Sequence, residues 1–103
     1  VGALIRQAGA EGGSASVLQK GERDAGTILV VLTERGTNAR VYERMPQADG
    51  TRDWALSRRE NPEIRGELDE WLARRGSQDP DLWIVELDIA NGERFIGITR
   101  TPD

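Results

Sequence analysis

Asp79-Pro80-Asp81-Leu82-Trp83-Ile84-Val85-Glu86-Leu87-Asp88 is the stretch on which the fold turns. Two aspartates around a proline make a turn, with Asp79 placed to cap local amides and Pro80 fixing the backbone. Residues 82–88 then read as a strand. Trp83, Val85 and Leu87 share one face of it, Glu86 and Asp88 the other. Downstream, Asn91-Gly92 between Leu87, Ile89, Phe95 and Ile96 is a hairpin signal, which predicts a last strand over residues 94–98 and a frayed tail over 99–103.

Upstream of the turn the apolar period lengthens. Ile64, Leu68, Trp71 and Leu72 recur at helical spacing, Asn61 is placed to cap, Pro62 suits a first helical position, and Gly76 marks a stop. A helix over residues 62–75 follows. Before it, strands are predicted over residues 15–20, 27–34, 39–44 and 52–57. Ile28-Leu29-Val30-Val31-Leu32 is apolar on both faces, as a central strand must be. Residues 35–38 form a turn, and Asp49-Gly50 lies in a loop. Val1, Leu4, Ile5 and Ala8 mark a first helix over residues 1–11, stopped by Gly12-Gly13. The expected fold is α+β: an antiparallel sheet of five to six strands with two helices packed on one face, in the order α-β-β-β-β-α-β-β.

Composition sets the class. A chain of 103 residues is one domain, 1–103, and 37% hydrophobic with 31% charged residues suits a small globule. A net charge of −4 argues against nucleic acid as partner, because binding there rests on clustered positive charge. With no cysteine and no histidine, disulfides, thiol nucleophiles and a Ser-His-Asp arrangement are excluded. No apolar run reaches membrane-spanning length and no signal-peptide pattern is present, so a cytoplasmic location is expected. The first residue is Val1 rather than methionine, and a short preceding piece is expected.

Several local patterns occur together in a familiar order. They are Ala3-Leu4-Ile5-Arg6, Val17-Leu18-Gln19-Lys20-Gly21, Ala25-Gly26 before an apolar strand, and Asp49-Gly50-Thr51-Arg52 followed by Trp54. Above all there is Asp79-Pro80-Asp81-Leu82-Trp83-Ile84-Val85-Glu86. Over residues 1–97 the chain resembles the domain of unknown function 1491 family, found mainly in alphaproteobacteria. The resemblance implies a compact bacterial domain and carries no activity with it.

Candidate sites are judged by chemistry. Gly21 and Gly26 have phosphate-loop spacing, but Thr27 and Ile28 stand where lysine and serine or threonine should open a helix. What survives is anion capture by Lys20 and Arg23 beside glycine amides. Asp79, Asp81 and Glu86 offer oxygen donors for a hard metal, although the calcium-loop pattern is absent and a plain turn is the simpler account. Arg40, Tyr42 and Arg44 alternate on one strand face, a composition found at interfaces as well as on solvated sheets. Trp71 and Trp83 are expected in the core, and Trp54, after a loop, is the candidate for exposure.

The leading expectation is a non-enzymatic interaction or binding module, acting through a sheet face or edge on another protein or on a second copy as a homodimer. Its candidate binding residues are Lys20, Arg23, Arg40, Tyr42, Arg44 and Trp54, and no catalytic residue or cofactor is expected. The alternatives are a carboxylate-dependent metal-binding or hydrolytic domain around Asp79, Asp81 and Glu86, or anion binding at residues 20–26.

Overall fold

The computed structural model of the chain describes residues 2–22, 27–46, 52–61, 63–64 and 66–96, with backbone alone for residues 45, 46, 52 and 53. Along the chain these form α1 (Gly2–Ala10), β1 (Ser14–Gln19), β2 (Ile28–Glu34), β3 (Thr37–Pro46), β4 (Arg52–Arg59), α2 (Glu67–Gln78), β5 (Trp83–Asp88) and a 3-10 helix (Gly92–Ile96). The five strands make one sheet in the order β1-β5-β2-β3-β4. The α+β class, the two helices, the strand number and the element order as far as β5 are those expected.

Three features differ. First, β5 does not extend the sheet at an edge; it enters between β1 and β2. It runs antiparallel to β1, with Ser14 opposite Asp88, and parallel to β2, with Ile28 beside Trp83 and Thr33 beside Asp88. The sheet is therefore mostly antiparallel with one parallel pair, which α2 makes possible as a crossover. Second, the helices lie on opposite faces. Leu4, Ile5 and Ala8 of α1 pack with Ile28, Val30 and Leu32, whereas Leu68, Trp71 and Leu72 of α2 pack with Leu29 and Val31. The period-2 alternation of β2 sends its apolar run to both sides, so one helix cannot cover both. Third, the expected strand over residues 94–98 is a 3-10 helix over Gly92–Ile96, and residues 97–98 lie outside those described. Asn91 does turn the chain, with φ 56°, but both edges of β5 are occupied, so a returning strand has nothing to pair with.

The second helix also starts later than its sequence signals suggest. The Asn61 side chain accepts the Glu63 N–H at 3.0 Å and its carbonyl accepts the Ile64 N–H at 3.1 Å. That single turn is not propagated, because Gly66 is left-handed at φ 79° and the helix begins after it. Pro62 lies outside the described residues. Gly76, expected as a stop, sits inside the helix, where a Cβ would overlap the Gln19 side-chain oxygen. The Gln19 amide in turn donates to the Asp79 and Leu82 carbonyls at 3.1 and 2.9 Å, tying β1 to the turn before β5.

α2 is clamped to the sheet by charge as well as by its apolar stripe. The guanidinium groups of Arg58 and Arg75 both lie over the Trp71 ring, 5.4 and 5.5 Å from its centre. Those two arginines pair with Glu67 and Glu43, each at 2.7 Å. The β2–β3 hairpin is pinned from β5: the Asp88 carboxylate accepts the backbone N–H groups of Arg35 and Gly36 at 2.7 and 3.0 Å. Arg35 and Gly36 both have positive φ, the backbone of a tight two-residue hairpin turn.

Candidate functional site

The face carrying Arg40, Tyr42 and Arg44 turns inward. Arg40 is 1% exposed and Tyr42 is buried too. The 3-10 helix lays Glu93, 4% exposed, against them. Arg40 grips the Glu93 carboxylate with both arms of its fork, Nε to Oε2 at 2.9 Å and Nη2 to Oε1 at 2.7 Å, and Tyr42 donates to Oε2 at 3.0 Å. The remaining Arg40 nitrogen, Nη1, donates to the Asn38 carbonyl at 2.8 Å. Burial pushes the Glu93 carboxyl up, but hydrogen bonds from Arg40, its own backbone and Tyr42 outweigh it and hold the group down at about 2. The hydrogen bond to Glu93 in turn raises Arg40 above the usual arginine value. This network locks the 3-10 helix over the sheet and leaves Arg40 and Tyr42 no free surface for a partner. Arg44 stacks on Trp54, its guanidinium 6.0 Å from the ring centre. Trp54 is half-buried against the same core, and so is Trp83.

Lys20 is exposed, and Arg23 lies outside the described residues. What is described of this loop packs directly on the acidic turn. The Glu22 N–H donates to the Asp81 carbonyl at 3.0 Å, and the Trp83 indole N–H donates to the Glu22 carbonyl at 2.9 Å. Gly21 sits so close to the Asp81 backbone that a side chain there would overlap its carbonyl oxygen. The geometry has a topological cause: β1 ends and β2 begins on either side of the start of β5, so the chain leaving β1 meets the turn into β5 at one end of the sheet.

Asp79, Asp81 and Glu86 are not brought together. Asp79 accepts the Asp81 N–H at 3.2 Å, as an Asx turn does, and Asp81 is exposed. Glu86 projects from β5 toward α2. Among the described residues no group of three or more His, Cys, Asp or Glu is placed to hold a metal ion.

Glu86 instead lines a cavity of about 460 Å³ between the start of α2, the end of β2, the start of β3, and Glu60, Asn61, Ile64 and Gly66. Its walls combine Val31, Ala39, Leu68 and Leu72 with three acids, Glu60, Asp69 and Glu86. Burial, reinforced by the charges of Asp88 and Asp69, pushes the Glu86 carboxyl up. Reading residues 82–88 as a strand places Glu86 on a face, but that α2 roofs a cavity over it has no local signal.

The two sheet edges differ in chemistry. β4 carries Arg52, Asp53, Arg58 and Arg59 along its length. β1, Ser-Ala-Ser-Val-Leu-Gln, carries no charge, and its Val17 and Leu18 are 45% and 49% exposed. No helix among the described residues is long and apolar enough to cross a membrane.

With this geometry in view, the chain can be set beside known proteins. The family model described as "Protein of unknown function (DUF1491)" matches residues 1–97. The crystal structure of a DUF1491 family protein from Caulobacter crescentus CB15 has a TM-score of 0.77 at 34% identity, over 93% of this chain and 89% of that one. An NMR structure of a DUF1491 family protein from the same organism gives a TM-score of 0.77 at 35% identity, covering 94% and 87%. The solution structure of protein Atu0922 from A. tumefaciens gives 0.76 at 29% identity, covering 99% and 92%. No curated protein matches the chain.

Proposed function

This chain belongs to the DUF1491 family of proteins of unknown function, and from its own surface we propose that it is a non-enzymatic interaction module of the cytoplasm that uses its β1 edge. The observation that carries this reading is the contrast between the two edges. An unpaired strand edge offers a row of free N–H and C=O groups, and native proteins guard such edges with charge. β4 is guarded in this way, while β1 has no charged residue and exposes Val17 and Leu18.

The occupant is a second copy of the chain. At a net charge of −4 two copies repel on average, so an uncharged edge is where they can approach without opposing like charges. Antiparallel pairing of β1 with its symmetry mate joins two sheets into one and covers Val17 and Leu18. Sedimentation velocity from low micromolar to near-millimolar concentration tests this. The expected result is a mass that rises toward a dimer, with Leu18→Lys remaining monomeric at unchanged circular dichroism. A monomer at every concentration refutes it.

A further inference from the structure

We propose that the cavity beneath the start of α2 is a binding site for an organic cation, an ammonium group carried on an aliphatic stem. Three independent features of the cavity point to such a ligand.

The first is uncompensated charge. Glu60, Asp69 and Glu86 line the cavity, and no lysine or arginine joins them among the described residues lining it. Glu60 is engaged, accepting the Asn38 N–H at 3.1 Å. Asp69 and Glu86 take part in none of the ion pairs among the described residues. Glu43 with Arg75 and Glu93 with Arg40 show a half-buried and a buried carboxylate of this chain each paired with an arginine. A half-buried carboxylate flanked by other acids, with no cation beside it among the described residues, is in an unfavourable setting that an incoming positive charge relieves. The positive end of α2 does not supply that charge, because Glu67, Asp69 and Glu70 occupy its first turn.

The second feature is a hydrogen-bonding group with nothing to bond. Thr33 is 5% exposed, lines the same cavity from the same face of β2 as Val31, and its hydroxyl has no hydrogen-bond partner. Buried hydroxyls are normally satisfied, and leaving one unmade has a cost. Its oxygen is sealed from solvent as it stands, and a turn of the Thr33 side chain toward the cavity it lines would let it accept from an ammonium N–H.

The third is the floor. Val31, Leu68 and Leu72 give an apolar wall suited to methylene groups, and about 460 Å³ lies within the range of roughly 300–1,000 Å³ typical of small-ligand sites. A hydrated divalent cation gains nothing from such a floor and needs more oxygen ligands than converge here. The alkylammonium group has two natural sources, a free amine or a lysine side chain of a partner protein.

The test follows backbone amide shifts of isotope-labelled protein at neutral pH on titration with n-pentylamine, with n-pentanol as the neutral analogue. Saturable shifts confined to residues 31–39 and 60–72 and to Glu86 are expected with the amine and not with the alcohol. Glu86→Gln should weaken binding by at least about tenfold, as when one partner of a partly buried charge pair is removed. Thr33→Val, nearly isosteric, should weaken it several-fold with the fold intact. A blocked lysine peptide binding more tightly than the amine identifies a protein side chain as the source, and equal or weaker binding identifies a free amine. Shifts scattered over the acidic surface without saturation overturn the proposal. So does wild-type affinity in Glu86→Gln, or magnesium chloride producing the same shifts at the same concentration.

Discussion

Replacing Glu93 by glutamine tests the most deeply buried ion pair among the described residues. The substitution keeps the size of the side chain and removes its charge, leaving the Arg40 guanidinium, itself 1% exposed, without a counter-ion. The structure supplies the magnitude. A carboxyl held at about 2 in the folded chain and titrating near 4.5 when unfolded contributes on the order of 3 kcal/mol to folding at neutral pH. Breaking a buried pair by deleting one partner independently gives about 3–5 kcal/mol. Glu93→Gln should therefore lose roughly 3 kcal/mol, a fall in melting temperature of roughly 10–20 °C for a domain of this size. The sign of the pH dependence is set by the depressed value. The stabilisation is fully present above about pH 4.5 and is lost as pH falls toward about 2. Urea unfolding followed by fluorescence of Trp54, Trp71 and Trp83 reads this directly. The gap between wild type and Glu93→Gln should be full at neutral pH and narrow markedly by about pH 3, where the carboxyl of the unfolded chain is protonated while the folded one, held at about 2, is still mostly ionised. A loss under about 1 kcal/mol at neutral pH, or one unchanged on acidification, refutes the reasoning. The double variant Arg40→Met with Glu93→Leu should recover much of the loss, since a packed apolar pair replaces the desolvated ions.

Two further outcomes follow from the same geometry. Gly21→Ala should destabilise by about 1–3 kcal/mol or more, because the added Cβ meets backbone atoms of Asp81 and Leu82 that cannot rotate away; a melting temperature within a degree of wild type would falsify the close packing of loop and turn. Glu86→Gln should raise stability at neutral pH. Burial beside Asp88 and Asp69 lifts this carboxyl in the folded state, so its ionisation opposes folding as pH rises above the ordinary glutamate range, and the advantage of glutamine should vanish in acid. Thermal unfolding across that range checks the sign, and a variant less stable than wild type at neutral pH contradicts it.

How far the residues alone carry can be read from particular segments. The run Ile28-Leu29-Val30-Val31-Leu32 has no polar position, and only a strand covered on both sides satisfies it; β2 is the middle of the five. Ile64, Leu68, Trp71 and Leu72 announce a helix, yet Ile64 is exposed before its start, because the left-handed Gly66 outweighs the capping signals of residues 61–63. Asn91-Gly92 is correctly a turn, and its failure to make a hairpin reflects the neighbours of β5 rather than its own sequence. Arg40 and Tyr42 look like surface residues because alternation assigns a face without saying what covers it. Glu93, which covers them, stands 53 residues from Arg40.

By itself, then, the sequence determines the class of the domain, the order of its elements through β5, its family, and the strand and turn character of residues 79–88. These rest on period, turn chemistry and capping, all of which act within a few residues. Tertiary structure alone decides that β5 slides between β1 and β2, that the helices take opposite faces, that Arg40 meets Glu93 in the core, and that α2 roofs a cavity over Glu86 and Thr33. Each of these is a choice among distant partners. It is settled by which arrangement leaves the fewest strand edges open, apolar faces bare and buried charges unpaired, and that balance exists only once the whole chain is assembled.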